Sequence, residues 1–199
     1  MSPAVVGLAV GAVVLAAGAS TRMGRPKQLL RHRGRSFVGC AVELAHAAGC
    51  APIVVVTGAI DLGDEPLTPA FIVHNTNWPM GQLSSLQRGL AALLERRPDL
   101  SAVLVLTVDR PHLRPATIAA LVAAARAEPV ALWQPELQGR RGHPVIYPAA
   151  LLPALAALPP DASPRTLIAA HAALRRGLPV DDPAVLDNLD RPEDLARLP

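Results

Sequence analysis

Short uncharged runs rich in β-branched residues alternate along the chain with stretches of helical periodicity. The runs that predict strands are residues 12–15, 52–57, 71–74, 102–108 and 130–133. Helices are predicted over residues 36–48, over 81–96 and just after Pro115, because apolar residues recur there every three or four positions. The alternation predicts an α/β fold, a single Rossmann-like domain over residues 1–199 with a mostly parallel central sheet flanked by helices.

The pattern changes after residue 134. Residues 139–148 (GRRGHPVIYP) predict a loop that leads into a strand, and two short helices bounded by prolines follow. Near the end, Asp190 and Glu193 have the spacing of a helix capping box, with Pro192 in the first turn. We expect residues 134–180 to elaborate the substrate side of the domain.

Composition narrows the class of protein. Hydrophobic residues make up 51% of the 199 residues and aromatic residues only 3%, so the core should be aliphatic. Cys40 and Cys50 have neither metal-site nor disulfide-framework spacing, which favours buried, reduced thiols and a cytoplasmic protein. Residues 3–19 are uncharged and allow a targeting segment as an alternative. No Lys or Arg precedes this run and glycines interrupt it, which favours a buried strand.

A basic cluster follows the first predicted strand. The net charge is only +3, small for a nucleic-acid-binding protein, and aromatic platforms for RNA are missing. No acidic residue precedes Glu43, and Lys27 is the only lysine of the chain. The cluster comprises Arg22, Arg25, Lys27, Arg31, Arg33 and Arg35. It is either a solvated surface or a site for a polyanion such as a triphosphate.

The segment LAAGASTRMGRPK, residues 15–27, predicts an anion-binding loop. Small residues after the strand leave backbone N–H groups open to an anion or a base edge. The spacing matches neither a Walker loop nor a GxGxxG dinucleotide motif. An ordinary strand-to-helix loop is the alternative, and it does not account for Lys27. The candidate nucleotide-binding residues here are Leu15, Ala16, Ala17, Gly18 and Ser20.

Two further segments carry candidate chemistry. In NTNWPMGQLSSLQRGL, residues 75–90, Gly81 and Ser85 fall at the amino end of a predicted helix, where they either bind an oxygen-rich ligand or cap the helix. In LVLTVDRPHL, residues 104–113, Asp109 follows a buried strand. A carboxylate at that position either binds a divalent metal or caps a turn.

These segments together resemble a known family. L-A-A-G-x-S-x-R-M-G-x-x-K resembles the signature of the MobA-like nucleotidyltransferases, and it is most similar to the molybdenum cofactor cytidylyltransferases. Guanylyltransferase relatives typically have glycine where this chain has Ala17. The resemblance continues in N-x-x-W-x-x-G-x-x-S-S-L, in D-x-P, in a G-x-P turn and in a closing segment similar to D-x-D-x-P-E-D-L.

The resemblance implies a magnesium-dependent enzyme that transfers CMP from CTP to molybdenum-bound molybdopterin and releases pyrophosphate. It implies that Arg22 and Lys27 contact phosphates and that Gly81 and Ser85 meet base and ribose. Asp109, Asn188 and Asp190 would hold Mg²⁺, although Asn188 stands where the family has Asp. The implied acceptor-side residues are Arg110, Arg140, Arg141, Gly142, His143 and Pro144.

The sequence allows alternative roles for Arg110 and His143, alternative substrates and a different class of protein. Arg110 replaces the family's more usual Gln or Met and is either a phosphate contact or a partner of Asp109. His143 is either a base or, more in keeping with the chemistry, a hydrogen-bonded loop residue. The alternative donor is GTP, and the alternative acceptors are a sugar phosphate, methylerythritol phosphate and a phospholactate. A non-catalytic module that delivers cofactor to a molybdenum enzyme is the rival from another class. Neither a nucleic acid nor a membrane is expected as a partner.

Overall fold

The computed structural model describes residues 8–199, which fold into one α/β domain. Its strands are β1 (Val10–Leu15), β2 (Arg31–His32), β3 (Arg35–Ser36), β4 (Ile53–Thr57), β5 (Phe71–His74), β6 (Ala102–Thr107), β7 (Leu132–Leu137), β8 (Arg140–Arg141), β9 (Val145–Pro148) and β10 (Arg175–Pro179). Its helices are α1 (Phe37–Ala47), α2 (Gln82–Arg96), α3 (Pro115–Ala127), α4 (Leu152–Ala156) and α5 (Pro164–Ala170). Short 3₁₀ turns connect several of these elements.

The central sheet has the strand order β10-β7-β9-β6-β1-β4-β5, with β8 paired to β7. Strands β5, β4, β1 and β6 are parallel to one another, and β10 is parallel to β7. Strand β9 runs antiparallel to both β6 and β7. The carboxyl ends of β1, β4 and β6 therefore meet at one edge of the sheet, where ligands gather in folds of this kind.

Each face of the sheet carries its own aliphatic core. Alternate residues of β1 face opposite sides, so Val14 belongs to the core that includes residues of α1 and α3, whereas Val13 belongs to the core that includes residues of α2 and α4. All six residues of β1 are buried, as expected for a central strand covered on both faces. The predicted aliphatic core is confirmed.

Helix α2 lies unusually close to the sheet because a glycine faces it. A Cβ atom on Gly89 would fall 2.6 Å from the Val13 side chain and 2.7 Å from that of Val56. Such contacts are far too short, so only glycine permits this approach. The packing fixes the amino end of α2 beside the carboxyl ends of β1 and β4.

The predicted α/β fold and its main elements are confirmed. The first four predicted strands match β1, β4, β5 and β6, and the three long helices match α1, α2 and α3 to within about two residues. The fifth strand, predicted over residues 130–133, occupies Leu132–Leu137 instead. The small hairpin of β2 and β3, strand β8 and strand β10 had no counterpart in the prediction.

The predicted capping box in the closing segment was wrong. The short 3₁₀ helix there spans Pro192–Arg197, and the carboxylate of Asp194, not of Glu193, accepts the backbone N–H groups of Asp190 and Arg191 at 2.7 and 2.8 Å. The Asp190 side chain is thereby left for other partners. The reason is a one-residue shift of the helix start, which makes Asp194 the third residue of the first turn.

The structure tests the prediction for residues 3–19 only from residue 8 onward. The alternative of a targeting segment over residues 3–19 falls partly on residues 1–7, which lie outside the described part of the chain. From Val10 onward the segment forms the central strand of the sheet, so the buried-strand interpretation is confirmed there. Within residues 8–199, no helix is long and apolar enough to cross a membrane. Cys40 and Cys50 are both buried and free, as predicted.

Candidate active site

A pocket of about 390 Å³ opens at the carboxyl edge of the sheet. It is bordered by the loop after β1, the amino end of α2, the loop after β6 and the closing segment. Its lining comprises Leu15, Ala17, Gly18, Ser20, Thr21, Arg22, Lys27, Gln28, Trp78, Pro79, Gly81, Gln82, Ser85, Thr107, Val108, Asp109 and Asp190. Of the residues predicted to bind nucleotide, only Ala16 is absent from this lining, because it is buried in the core.

The loop after β1 is held in shape by Gln28, which the sequence analysis did not single out. Gln28 is 1% exposed, and its amide donates to the backbone oxygens of Ala16 and Gly18 at 2.7 and 2.6 Å. Its carbonyl accepts from the Ser20 hydroxyl at 3.2 Å, and Ser20 in turn accepts from the backbone N–H of Lys27 at 3.1 Å. Ser20 therefore shapes the loop, besides lining the pocket.

Lys27 is directed at the closing segment rather than at solvent. Its Nζ donates to Asp190 Oδ1 at 2.6 Å and to the backbone oxygen of Leu189 at 3.0 Å, and its side chain is only 13% exposed. Arg22 reaches the other oxygen of Asp190 at 3.0 Å, but 66% of its side chain is exposed. The structure thus brings together three of the residues predicted for the phosphates and the metal.

Several contacts keep Asp190 ionised. Burial alone would raise the pKa of Asp190, but the hydrogen bond and charge of Lys27, the charge of Arg22 and a hydrogen bond from Asn188 outweigh it and lower the pKa below its usual value. The Asn188 amide donates to Asp190 Oδ2 at 2.6 Å and does not line the pocket. In this arrangement Asn188 supports the carboxylate.

Asp109 lines the same pocket, next to the closing segment. Its Oδ1 accepts from the Thr107 hydroxyl at 2.5 Å and from the Arg110 guanidinium at 2.8 Å. The backbone oxygen of Asp109 accepts from the N–H of Leu189 at 2.9 Å, which ties the loop after β6 to the closing segment. Of the two roles open to Arg110, the structure shows the partner of Asp109.

The donor set suits a divalent ion that is shared with a substrate. Within residues 8–199, no three His, Cys, Asp or Glu side chains are grouped so as to hold a metal ion. Asp109 and Asp190 nevertheless line one pocket. Mg²⁺ is commonly bound by one or two carboxylates together with substrate phosphates and water. The residues therefore fit such an ion without forming a complete cage for it.

The amino end of α2 supplies further polar groups. Gly81 precedes the helix with a φ of 110°, a left-handed conformation that favours glycine, and lines the pocket. The Ser85 hydroxyl is held by the amide of Asn75, which donates to it at 3.0 Å. The first N–H groups of a helix attract anions because they are unpaired and carry the positive end of the helix dipole. Both predicted residues thus lie where an anionic or oxygen-rich ligand can be held.

A second pocket, of about 260 Å³, adjoins the first. The two share Leu15, Gln82 and Thr107. The remaining lining of the second pocket comprises Leu86, Val105, Gln134, His143, Val145, Tyr147, Ser163, Pro164, Arg165, Ile168, Ala169 and Arg175. Burial lowers the pKa of His143 to about 4, so its ring is neutral at neutral pH, and its buried Nδ1 has no hydrogen-bond partner in the described structure.

The predicted acceptor-side residues are only partly brought together. His143 lines the second pocket, whereas Arg140 and Arg141 are exposed on β8 and line neither of the two pockets. Arg141 is paired with Glu136 at 3.2 Å. A Cβ atom on Gly142 would overlap the backbone oxygen of Val185, so glycine permits close packing there. Gly142 lines neither pocket.

A mostly parallel sheet whose carboxyl edge gathers two carboxylates, a largely sheltered lysine and a helix amino end is typical of α/β proteins that bind nucleotides. The MobA-like NTP transferase domain matches residues 12–175, and the chain belongs to this family of nucleotidyltransferases. The predicted family is thereby confirmed.

Proteins named for different activities are similar in sequence to this chain. A nicotine blue oxidoreductase of Paenarthrobacter nicotinovorans is 34% identical over 200 residues, which cover 95% of this chain and 96% of that protein. A bifunctional enzyme IspD/IspF of Caulobacter vibrioides is 33% identical over 187 residues, 88% of this chain but 48% of that protein. A molybdenum cofactor guanylyltransferase of Xanthomonas euvesicatoria is 32% identical over 120 residues, 60% of this chain and 57% of that protein.

A solved structure shares the whole fold. Rv0371c of Mycobacterium tuberculosis superposes with a TM-score of 0.75 at 26% identity, covering 96% of this chain and 97% of that one. A manganese complex of the same protein has a TM-score of 0.69 at 24% identity, with the same coverage of the two chains.

Proposed function

We propose that the chain transfers CMP from CTP to a phosphate of molybdenum-bound molybdopterin and releases pyrophosphate, with Mg²⁺ as cofactor, in the cytoplasm. The observation that carries the proposal is the first pocket, where Lys27 and Arg22 converge on Asp190 while Asp109 lines the same cavity. Cations that can contact phosphates and carboxylates that can contact a metal are the two requirements of phosphoryl chemistry.

The chemical step needs few groups from the protein. An ionised oxygen of the acceptor phosphate attacks the α-phosphorus, the bond from that phosphorus to the oxygen bridging to the β-phosphorus breaks, and pyrophosphate leaves with the electron pair. Since the attacking oxygen is already ionised, no general base is required, in keeping with the neutral His143. Positioning and charge stabilisation then supply most of the rate.

Lys27 and Arg22 are the groups that meet the triphosphate. Both cations are paired with Asp190 in this structure, and incoming phosphate oxygens compete with the carboxylate for them. Mg²⁺ held by Asp109 and Asp190 would neutralise further phosphate charge when bound. The ammonium of Lys27 suits this exchange of partners because it is a compact charge on a flexible stem.

The choice of CTP rests on Ala17. The L-A-A-G segment resembles that of the cytidylyltransferases, whereas the guanylyltransferases typically have glycine at this position. Ala17 lines the first pocket and its backbone oxygen accepts from the N–H of Ala59 at 3.0 Å, so its methyl group is held in a fixed place. GTP is the alternative donor, in line with the name of the Xanthomonas relative.

One relative favours a second candidate function. The nicotine blue oxidoreductase covers nearly the whole chain, so an oxidoreductase that acts on a compound such as nicotine blue is the alternative. Oxidation or reduction of nicotine blue by the protein with an added electron donor or acceptor, and no release of pyrophosphate from any nucleotide, would favour this candidate.

The test is a measurement of pyrophosphate release with Mg²⁺ and molybdenum-loaded molybdopterin, in which CTP is compared with GTP. We expect release with CTP that is lost in Asp109→Ala. Preference for GTP would keep the reaction and change the donor. Release only with methylerythritol phosphate or a sugar phosphate would change the acceptor. No pyrophosphate release with any acceptor and any nucleotide would contradict the proposed function and favour a delivery module or the oxidoreductase.

A further inference from the structure

Arg110 holds the carboxylate of Asp109 through one oxygen. Its guanidinium donates to Asp109 Oδ1 at 2.8 Å and to the hydroxyl oxygen of Thr107 at 2.9 Å. The Thr107 hydroxyl donates to the same Oδ1 at 2.5 Å, so this oxygen is engaged twice. Within residues 8–199, no hydrogen bond reaches Asp109 Oδ2. Because Asp109 lines the first pocket, Oδ2 is the oxygen that is left for a ligand there.

The side chain of Arg110 is sheltered although part of it is unsatisfied. It is only 11% exposed, and its Nε atom is buried without a hydrogen-bond partner in the described structure. A buried donor without a partner is destabilising. An uncharged residue, such as the Gln or Met that the resembling family more usually has here, would place no cation in this position. The cost points to a role for the charge itself, beyond packing.

Both carboxylates of the first pocket already have cationic partners. Asp190 is paired with Lys27 at 2.6 Å and with Arg22 at 3.0 Å. Asp109 is paired with Arg110 at 2.8 Å. The paired cations outnumber the two carboxylates, so a free divalent ion gains little electrostatic attraction from the pocket. A bound nucleoside triphosphate reverses this balance, because its phosphates bring several negative charges to the same place.

We propose that Arg110 is a positioning residue that makes the binding of a divalent ion at Asp109 depend on the nucleotide. Without nucleotide, the charge of Arg110 neutralises the carboxylate and repels the ion. With a triphosphate bound, the phosphate oxygens supply the missing negative charge, and ion and nucleotide bind cooperatively. The inference rests on the proposed function for the role of the ion, but binding of the ion is measured without turnover.

The test is binding of Mn²⁺ to the full-length protein, measured from the paramagnetic resonance signal of the free ion, with and without CTP and without an acceptor. In the absence of CTP, we expect Arg110→Gln and Arg110→Met to bind Mn²⁺ about tenfold more tightly than the native protein does. Removal of a unit charge several ångströms from a divalent ion in a water-like dielectric has an effect of about this size. With CTP bound, the difference should shrink to less than about threefold, because the phosphates then dominate the charge around the ion.

Two features of the design separate charge from structure. Gln keeps an uncharged donor for Asp109 and Met keeps none, so agreement between the two variants assigns the effect to the charge. The matched control is Arg97→Gln, because Arg97 also pairs with a nearby carboxylate, that of Asp99 at 3.3 Å, but lines neither the first nor the second pocket. A folding defect would weaken Mn²⁺ binding, so a gain in affinity is a result that a merely structural role would not produce.

The outcomes for Arg110 and for the reaction are distinguishable. Equal or weaker Mn²⁺ binding by either Arg110 variant without CTP, including no detectable binding by any of the proteins, would overturn the inference. Tighter binding by both variants, together with no pyrophosphate release from any nucleotide, would support the role of Arg110 and contradict the proposed reaction. Pyrophosphate release by the native protein, together with equal Mn²⁺ affinities, would support the reaction and overturn the role of Arg110.

Discussion

The Nζ atom of Lys27 lies 2.6 Å from Oδ1 of Asp190, although 163 residues separate them along the chain. Their side chains are 13% and 19% exposed, so the pair is largely sheltered from water. Removal of one partner of a sheltered pair leaves the other charge poorly solvated. The contact joins the loop after β1 to the closing segment at the first pocket, which is the proposed nucleotide pocket.

Lys27→Ala should damage both stability and turnover. We expect the free energy of unfolding to fall by about 1–2 kcal/mol, because Asp190 keeps Arg22 and Asn188 as partners. The rate of pyrophosphate release should fall by about 100-fold, the usual effect of removing one group that stabilises developing charge. Urea unfolding and steady-state kinetics measure the two effects. Arg25→Ala is the control, since Arg25 is exposed and does not line the pocket, and unchanged turnover in Lys27→Ala would refute its role.

Asp109→Asn should abolish turnover while the fold survives. The new amide retains an oxygen for Thr107 and Arg110, but Arg110, whose side chain is 11% exposed, loses its counter-charge. The melting temperature should therefore fall modestly while the protein stays folded. Binding of a divalent ion needs the negative charge, so Mn²⁺ with CTP should raise the melting temperature of the native protein but not of the variant. Asp99→Asn is the matched control, because Asp99 is 73% exposed and pairs only with Arg97. Full turnover in Asp109→Asn would exclude a metal-binding role.

Two glycine substitutions should separate packing from ligand binding. In Gly142→Ala the new Cβ would overlap the backbone oxygen of Val185, so we expect a loss of stability of about 1–3 kcal/mol or more. In Gly18→Ala nothing lies within 4 Å of the new Cβ, so thermal stability should hold. Because Gly18 lines the nucleotide pocket, its added methyl group should raise the KM for the nucleotide. Equal melting temperatures for Gly142→Ala and the native protein would show that a Cβ atom is tolerated beside Val185.

Ala17→Gly should shift the choice of nucleotide. If the methyl group of Ala17 disfavours guanine, the ratio of kcat/KM for CTP to that for GTP should fall in the variant. A new glycine lowers the free energy of unfolding by about 0.5–1 kcal/mol. The melting temperature is therefore measured to show that the variant is still folded. An unchanged ratio would mean that the nucleotide preference does not depend on this position.

Acid should destabilise the protein partly through His143. Burial lowers its pKa to about 4 in the folded protein, assisted by the charge of Arg110 and Arg165 and opposed by Asp109, against 6.5 for an ordinary histidine. The folded-state pKa is depressed, so this stability is complete above pH 6.5 and declines as the pH falls from 6.5 towards about 4.

The His143→Gln variant measures that contribution. Both proteins should lose stability between about pH 7.5 and pH 5. The loss in free energy of unfolding should be up to roughly 2 kcal/mol smaller for the variant than for the native protein. Burial also lowers the pKa of His32 and His112, so both proteins should still lose some stability in acid. The exposed His46 supplies the control, His46→Gln. Parallel pH profiles for His143→Gln and the native protein would contradict the burial of a neutral His143.

The central sheet was predictable because its strands are continuous aliphatic runs. Strand β1 (VGAVVL) and strand β6 (AVLVLT) are buried on both faces, and their continuous runs of apolar residues predict this burial. Strand β10 (RRGLP) has no such pattern, because it is an edge strand that pairs only with β7. Its place depends on a partner about forty residues earlier, which local sequence does not encode.

The lining of the first pocket was partly predictable for a similar reason. Short motifs that are recognisable in the local sequence contain Gly18, Lys27 and Asp109. The contact of Lys27 with Asp190 was not predicted, since it joins distant parts of the chain. Arg165 and Arg175 were missed because neither belongs to a motif, and only the pairing of β7 with β10 brings Arg175 to Gln134.

The most direct test of the nucleotide pocket follows the α-phosphate itself. CTP labelled at the α-phosphate is incubated with molybdenum-loaded molybdopterin, Mg²⁺ and either the native protein or Asp109→Asn. The account predicts that label passes from CTP to the acceptor with one pyrophosphate released per transfer, and that the variant transfers none. Absence of label transfer from every nucleoside triphosphate to every phosphorylated acceptor would contradict it.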